Sequence, residues 1–225
     1  MDSSLSTNKQ GQSLGRKGHA TRERLLAAAE RLLKKRSPLD LTAVAIAKEA
    51  QSSSATFYMY FDDVKDALFT LSGRAGNEVV AAMEALGDEL VRADADLQQA
   101  ASELVRVFNE VWDRHRHILI FRNLEADRGD KSFEKLRMEE YMRELHVLSK
   151  WLRCASGEQG TSKGDAFALA SVLHAGLERI ASLDPMIVTN GIGQERMAAA
   201  QARVIAQVLA DTKTWGLLPL DNAKK

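Results

Sequence analysis

The chain has 225 residues, of which 45% are hydrophobic, and its 31 basic and 31 acidic residues balance to a net charge of zero. This composition predicts a substantial buried core in one large domain or in two smaller ones. The single cysteine, Cys154, excludes a disulfide framework and a cysteine-based zinc site. Because the N-terminus lacks the apolar core of a signal peptide and no stretch approaches ~18 consecutive apolar residues, we expect a soluble, cytoplasmic protein.

Apolar residues recur at helical rather than alternating spacing, and the chain has only three prolines. This pattern predicts an all-α fold. Residues 1–18 are rich in Ser, Gly, Gln and Lys and are predicted to form a disordered basic arm. This arm is either a solvated tail or, through Arg16 and Lys17, a segment that binds phosphate groups.

Three short helices are predicted between residues 19 and 66. The first, His19–Lys35, carries leucines at three–four spacing and must end before Pro38, since the residue before a proline is disfavoured in the helical region. The second, Thr42–Ala50, has a natural N-cap in its threonine. A short turn then leads to a third helix of about two turns.

The third helix has an aromatic inner face and a polar outer face. Phe57 and Phe61 lie at i and i+4, share one face and are predicted to pack inward. The remaining positions carry small and hydroxyl-bearing residues first and phenols later. Small residues let the backbone approach base edges, methyl groups can contact thymine, and phenols can reach phosphate oxygens. The candidate DNA-contacting residues are therefore Ser54, Ala55, Thr56, Tyr58, Met59 and Tyr60. The alternative is that the tyrosines are core or interface aromatics.

Positive charge is concentrated near the start of the chain. Residues 1–36 contain 9 basic and 3 acidic residues. A domain that binds duplex DNA gains affinity by neutralising phosphates in this way. Together with the third helix, this asymmetry predicts a helix-turn-helix domain at residues 19–66, next to a basic arm that can touch phosphates or the minor groove.

The stretch Ala50–Phe61 (AQSSSATFYMYF) resembles the helix-turn-helix signature of the TetR/AcrR family of bacterial repressors. That family shows a small-residue turn and then Thr-Leu/Phe-Tyr-x-His/Tyr-Phe. The Leu-Thr-x-x-x-Ile-Ala pattern at Leu41–Ala47 and the chain length also match, and the motif-level resemblance covers residues 19 to about 75. It implies that the following residues face DNA: Thr42, Ser53, Ser54, Ala55, Thr56, Tyr58, Met59 and Tyr60.

Two positions depart from the family pattern. The usual Gly-Val or Gly-Ile turn is Gln51-Ser52 here, although glycine normally supplies a positive φ at such a turn. The usual lysine after the motif aligns with Val64, so Lys65 is the candidate for its phosphate contact. The acidic pair Asp62-Asp63 is predicted to cap the fourth helix, since carboxylates favour helix N-termini.

Residues 67–225 are predicted to form a helical ligand-sensing and dimerisation domain, because the family encloses a ligand pocket in this part of the chain. The expected elements are a connecting helix Asp63–Leu86, helices Leu97–His115 and Ser132–Cys154, a short apolar segment Ile118–Leu124 and a loop Ser156–Gly164. As a set, the large or adaptable side chains of this region predict an apolar effector site, although any one of them can be ordinary core. They are Phe108, Trp112, Phe121, Met138, Tyr141, Met142 and Trp151.

Two further long helices, Ser162–Leu183 and Gln194–Trp215, are predicted at the C-terminal end. On the first, His174 and Glu178 lie at i and i+4 in an apolar context and are candidate polar groups of the effector site or of an interface. By the resemblance, the two helices form a four-helix bundle with a second copy; alternatively, they close the monomer core. A two-fold dimer would place two recognition helices about one DNA turn apart.

No His-x-x-x-His pair, paired carboxylate set or nucleophile motif occurs in the sequence, so we expect no catalytic residue, no metal and no cofactor. The leading hypothesis is a homodimeric transcriptional repressor that binds a near-palindromic operator and is released by a small apolar effector. The alternatives are a helix-turn-helix regulator without a small-molecule sensor and, less favoured, an α-helical enzyme or cofactor binder.

Overall fold

The computed structural model describes residues 15–90, 96–156 and 161–211, and within these ranges the chain forms helices and no β-strand. This confirms the predicted all-α fold, with a helix-turn-helix domain followed by a helical domain. A 3-10 turn, Pro38–Asp40, links the first two helices. The helices are α1 Arg16–Leu33, α2 Ala43–Glu49, α3 Ser54–Tyr60, α4 Val64–Leu90, α5 Leu97–Asp127, α6 Lys131–Ser156, α7 Lys163–Ala181, α8 Pro185–Asn190 and α9 Gln194–Asp211.

The α5 helix is longer than predicted. It runs without interruption from Leu97 to Asp127, so the expected separate segment Ile118–Leu124 is wrong. Residues 116 and 117 contain neither glycine nor proline, and buried side chains continue at helical spacing beyond them. The stop signal comes later, at Gly129, whose φ of 89° ends the helical path.

Two other boundaries also differ from the prediction. The α1 helix begins at Arg16, so Arg16 and Lys17 lie in its first turn rather than in a disordered arm. Residues 1–14 of that arm and the predicted end at Trp215 lie outside the described residues. The short α8 was missed, although Asp184 caps it by accepting a hydrogen bond from the Met186 backbone N–H at 2.8 Å. The proline that follows Asp184 is the usual first helical residue.

Contacts divide the described residues into two compact units, the first within residues 15–76 and 115–137 and the second within residues 77–114 and 138–211. Three helices, α4, α5 and α6, therefore contribute one part to each unit. The proposed functional boundary between residues 66 and 67 stays a prediction. None of the described helices is long and apolar enough to cross a lipid bilayer.

The turn between α2 and α3 is closed by a Schellman motif at Gln51. The Ser52 N–H donates to the Ala47 carbonyl at 2.8 Å, and the Gln51 N–H donates to the Lys48 carbonyl at 3.1 Å. This geometry requires a left-handed residue, and Gln51 has φ of 53°. The family glycine is thus replaced while its conformation is kept, which costs an L-residue about 1 kcal/mol.

We therefore expect Gln51→Gly to raise the free energy of unfolding by up to about 1 kcal/mol, measured by urea denaturation. The matched control is Lys48→Gly, at an exposed helical position of α2, which should lower stability by about 0.5–1 kcal/mol. A loss of stability in Gln51→Gly would contradict the assigned strain.

Candidate nucleic-acid interface

Side-chain caps fix the start of both helices in the helix-turn-helix. The Thr42 hydroxyl accepts a hydrogen bond from the Ala45 N–H at 3.1 Å. The Ser53 hydroxyl accepts from the Thr56 N–H at 3.1 Å and also contacts the Thr56 hydroxyl at 2.9 Å. Each cap satisfies a backbone donor that would otherwise have no partner in the helix. The predicted DNA residues Thr42, Ser53 and Thr56 therefore also have structural roles.

The inner face of α3 is built from two phenyl rings. Phe57 and Phe61 are fully buried, with ring centroids 5.4 Å apart, which confirms their predicted inward packing. The Arg22 guanidinium of α1 lies 5.1 Å from the Phe61 ring centre, a cation–π contact. Burial lowers the pKa of Arg22, and repulsion from Arg74 adds to this effect. Aromatic packing and a cation–π contact therefore hold the buried face of α3 and its C-terminal end.

The outer face of α3 is open. Tyr58 and Met59 are about half exposed, at 52% and 51%, and Ser53 and Ala55 are also exposed. Three other residues of the predicted set are half-buried: Ser54, Thr56 and Tyr60. The alternative in which both tyrosines belong to the core does not describe Tyr58. The DNA contacts themselves stay a prediction.

Ion pairs attach the neighbouring helices to α1. Arg31 donates to the Glu49 carboxylate at 2.8 Å, joining α1 to α2 and lowering the pKa of Glu49 through that hydrogen bond. Arg74 of α4 donates twice to Glu23 of α1, both at 2.6 Å, and this pairing lowers the pKa of Glu23. Because Arg74 donates to both oxygens of Glu23, this ion pair constrains the direction of both side chains.

The start of α4 confirms the predicted acidic cap. The Asp63 carboxylate accepts from the Asp66 N–H at 2.8 Å, and the Asp66 carboxylate accepts from the Asp62 N–H at 3.0 Å. This pattern resembles a capping box, except that Asp66 accepts from the residue before the N-cap Asp63. Burial raises the pKa of Asp66, and its acidic neighbours act in the same direction.

Lys65, the candidate for the family's phosphate-binding lysine, lies in an ion-pair network of the first unit. Its ammonium is 2.7 Å from Asp130 and 2.6 Å from Glu125, and these contacts raise the pKa of Lys65. Asp130 has a second role, because its other oxygen accepts from the Ser132 and Phe133 N–H groups at the start of α6. A DNA contact by Lys65 stays a prediction, whereas Arg16 and Lys17 are exposed on α1.

The predicted effector residues are distributed between the two units. Phe108, Trp112 and Trp151 are buried core residues of the second unit. Phe121 belongs to the first unit, where its ring packs edge-on against Phe133 at 5.6 Å. The remaining members of the second unit are more accessible: Met138 and Met142 are exposed, and Tyr141 and Glu178 are half-buried.

A buried polar pair lies in the core of the second unit. The His174 Nε2 contacts the Glu144 carboxylate, and both side chains are nearly inaccessible to solvent. The Tyr141 and Phe108 rings meet the imidazole edge-on, at 4.9 and 6.2 Å. The His174 Nδ1 has no hydrogen-bond partner. Glu144 was not predicted, but its spacing of three from Tyr141 and four from Leu148 placed it on the apolar stripe of α6.

No group of three or more His, Cys, Asp or Glu side chains in the described ranges is arranged to hold a metal ion. Two candidate functional features of these ranges are the open face of α3 and the buried pair of the second unit. A capped, two-turn helix presented by a helix-turn-helix, followed by an all-helical domain, defines a DNA-binding regulator.

Comparison with known families agrees with this class. The model of the bacterial regulatory proteins of the tetR family matches residues 25–70. The model of the tetracyclin repressor-like C-terminal domain matches residues 85–214. The chain therefore belongs to the TetR family of bacterial transcriptional regulators.

Individual proteins of known name or structure share limited sequence identity with this chain. The HTH-type transcriptional regulator EthR of Mycobacterium tuberculosis is 33% identical over 94 residues, which is 42% of this chain and 43% of EthR. FadR of Bacillus subtilis, solved with stearoyl-CoA, has a TM-score of 0.60 at 16% identity, covering 83% of this chain and 96% of FadR. SmeT, solved with triclosan, has a TM-score of 0.59 at 18% identity, covering 85% and 90%. At these identities the solved structures show a shared fold.

Proposed function

We propose that the protein is a transcriptional repressor that acts in the bacterial cytoplasm, binds a near-palindromic operator as a homodimer and is released by a small apolar effector. The observation that carries the proposal is the open face of α3. Its aromatic side is buried, its N-terminus is capped by Ser53, and its polar side faces solvent. A helix presented in this way is suited to enter a major groove.

Within this proposal, the residues of the interface divide by reach. Ser54, Ala55 and Thr56 are short and start α3, so they can approach base edges closely. Tyr58 and Tyr60 are longer and suit phosphate oxygens, which fix the register of the helix on DNA. The capped N-terminus of α2 at Thr42, the side chain of Met59, and Arg16 and Lys17 on α1 complete the proposed contact surface.

A second copy of the chain is the proposed partner of the α7–α9 face. On α7, Val172 is 71% exposed, and small exposed residues surround it at helical spacing: Ala168, Ala175 and Gly176. On α9, Val204 is 59% exposed. Gln201 of α9 donates to the Gly176 carbonyl at 3.3 Å and so joins the two helices into one surface. Exposed valines among small residues suit close packing against an identical pair.

The effector would bind in the second unit, near the His174–Glu144 pair. A buried ring nitrogen without a partner is costly and is satisfied by a ligand that brings a hydrogen-bonding group. Aromatic side chains around it suit an apolar body. The acyl chain of stearoyl-CoA, in the structure of FadR, and the aromatic rings of triclosan, in the structure of SmeT, support an effector with an apolar body. Ligand would lower DNA affinity only by its differential affinity for the two states.

One observation favours a second candidate, a helix-turn-helix regulator without a small-molecule sensor. Phe108 and Trp112 are buried side chains in the core of the second unit, close to His174. An effector at His174 would have to displace such side chains. The two candidates differ in their response to apolar ligands.

For DNA binding, we expect Thr56→Ala combined with Tyr58→Phe to weaken specific operator binding about tenfold or more, because both the base-edge and the phosphate contacts are reduced. The operator is first selected from genomic DNA with the wild-type protein, and affinities are then measured by footprinting. Thr189→Ala, at an exposed site on α8, is the control and should bind normally.

The logarithm of the wild-type affinity should fall with the logarithm of salt concentration with a slope of about −4 or steeper. Unchanged footprints or a flat salt dependence would disprove the interface.

For assembly, we expect Val172→Glu combined with Val204→Glu to produce monomers in light scattering after gel filtration. Buried, unpaired charges would cost about 3 kcal/mol or more, which is more than 100-fold in the dimer dissociation constant. Leu39→Glu introduces the same charge at another exposed apolar side chain, in the 3-10 turn, and should leave the dimer intact. A dimer that persists in the double variant would rule out the α7–α9 face.

For the effector, we expect stearoyl-CoA or triclosan to raise the melting temperature by about 5–10 °C at ~100 times its Kd and to release the operator. The His174→Gln variant, whose amide can still donate to Glu144, should lose part of this response. If neither ligand changes the melting temperature or operator occupancy, the regulator without a sensor is the better description.

A further inference from the structure

A cavity of about 430 Å³ lies in the second unit, between α4 and α6. This volume is within the range of small-molecule sites, about 300–1,000 Å³. The α6 residues that line it recur at three–four spacing and so form one face of that helix. The lining consists of Glu84 and Gly87 from α4 and Arg143, His146, Val147, Lys150 and Trp151 from α6.

We propose that this cavity binds an organic anion, a carboxylate or phosphate group carried on an aromatic or aliphatic body. Neither His174 nor Glu144 of the proposed effector site lines this cavity, although Trp151, another of the predicted effector residues, does. Two basic side chains, Arg143 and Lys150, line the cavity together with one acidic side chain, Glu84. More basic than acidic side chains border this space, which favours an anionic ligand.

Arg143 is held in position to receive such a group. Its Nη1 donates to the Asn77 side-chain oxygen at 2.6 Å. A guanidinium carries five N–H donors in a planar fork, so this anchor leaves several donors for a bidentate contact with carboxylate or phosphate. The Lys150 ammonium carries three donors and can contact a ligand while keeping another interaction.

His146 adds a directional polar group. Its Nδ1 is 2.6 Å from the Met142 backbone carbonyl oxygen. Because a carbonyl oxygen can only accept, the Nδ1 carries the proton, and in the neutral ring the Nε2 is an acceptor. The ring also meets Phe167 edge-on at 5.8 Å, which fixes its plane. The Nε2 can therefore accept a hydrogen bond from a ligand hydroxyl or amide.

The apolar body of the ligand would contact Val147 and the buried Trp151. Opposite them, a side chain at Gly87 would meet Val147 at 4.0 Å and nothing closer, so this glycine keeps the α4 wall open. An occupant would touch α4 and α6 at once. An effect of the occupant on DNA binding rests on the proposed function, whereas binding itself does not.

The test is titration calorimetry on the full-length, DNA-free protein with 1-naphthoate, 1-naphthyl phosphate and the neutral 1-naphthamide. We expect one bound anion per chain and at least tenfold weaker binding of the amide. The tighter of the two anions identifies carboxylate or phosphate as the preferred group. Absence of binding by both anions, or equal affinity for the amide, would overturn the proposal.

Variants locate the site. Arg143→Gln combined with Lys150→Gln should weaken anion binding at least tenfold, and Gly87→Leu should block it by filling the cavity. Arg153→Gln removes the same charge from an exposed α6 position outside the lining and should bind as the wild type does. Melting curves confirm that each variant is folded. Undiminished binding in either lining variant would overturn the site, and this result is independent of whether the protein binds an operator.

Discussion

The orientation of the recognition helix depends on how α3 packs against the rest of the first unit. A helix of seven residues is too short to be stable alone, so its tertiary anchors decide its direction. Phe57 and Phe61 provide those anchors, and Arg22 of α1 covers the second ring. The next residue, Glu23, is bound bidentately by Arg74 of α4. Within the first unit, one contiguous set of contacts therefore joins α1, α3 and the part of α4 around Arg74.

The features that could be predicted from sequence are those encoded by local spacing. The two phenylalanines at i and i+4, the threonine cap of α2 and the acidic cap of α4 all act within one helical turn. The continuity of α5 was missed because the absence of a stop signal is less conspicuous than its presence. The family resemblance suggested a phosphate contact for Lys65. Its carboxylate partners in the structure lie 60 and 65 residues away in the sequence, so no local pattern predicts these ion pairs.

The second unit was less predictable for a chemical reason. A ligand pocket and a protein core use the same aromatic and aliphatic side chains, so composition does not distinguish them. Phe108 and Trp112 were therefore plausible effector residues and are buried in packing. His174 was singled out because a polar residue on an apolar helix is unusual, and a buried polar contact was indeed found there. Glu144 could not be predicted as its partner, because the contact exists only where the fold brings α6 and α7 together.

Asp130 gives the turn between α5 and α6 a mechanical role. One oxygen of this carboxylate holds the first backbone N–H groups of α6, and the other holds the ammonium of Lys65 on α4. The starts of two long helices thus share a single charged group, beside a glycine in a left-handed turn. A displacement of the first turn of α6 would therefore act through Asp130 on the first turn of α4, which follows the recognition helix in the sequence. The Asp130 carboxylate therefore couples the first turns of α4 and α6 within the first unit.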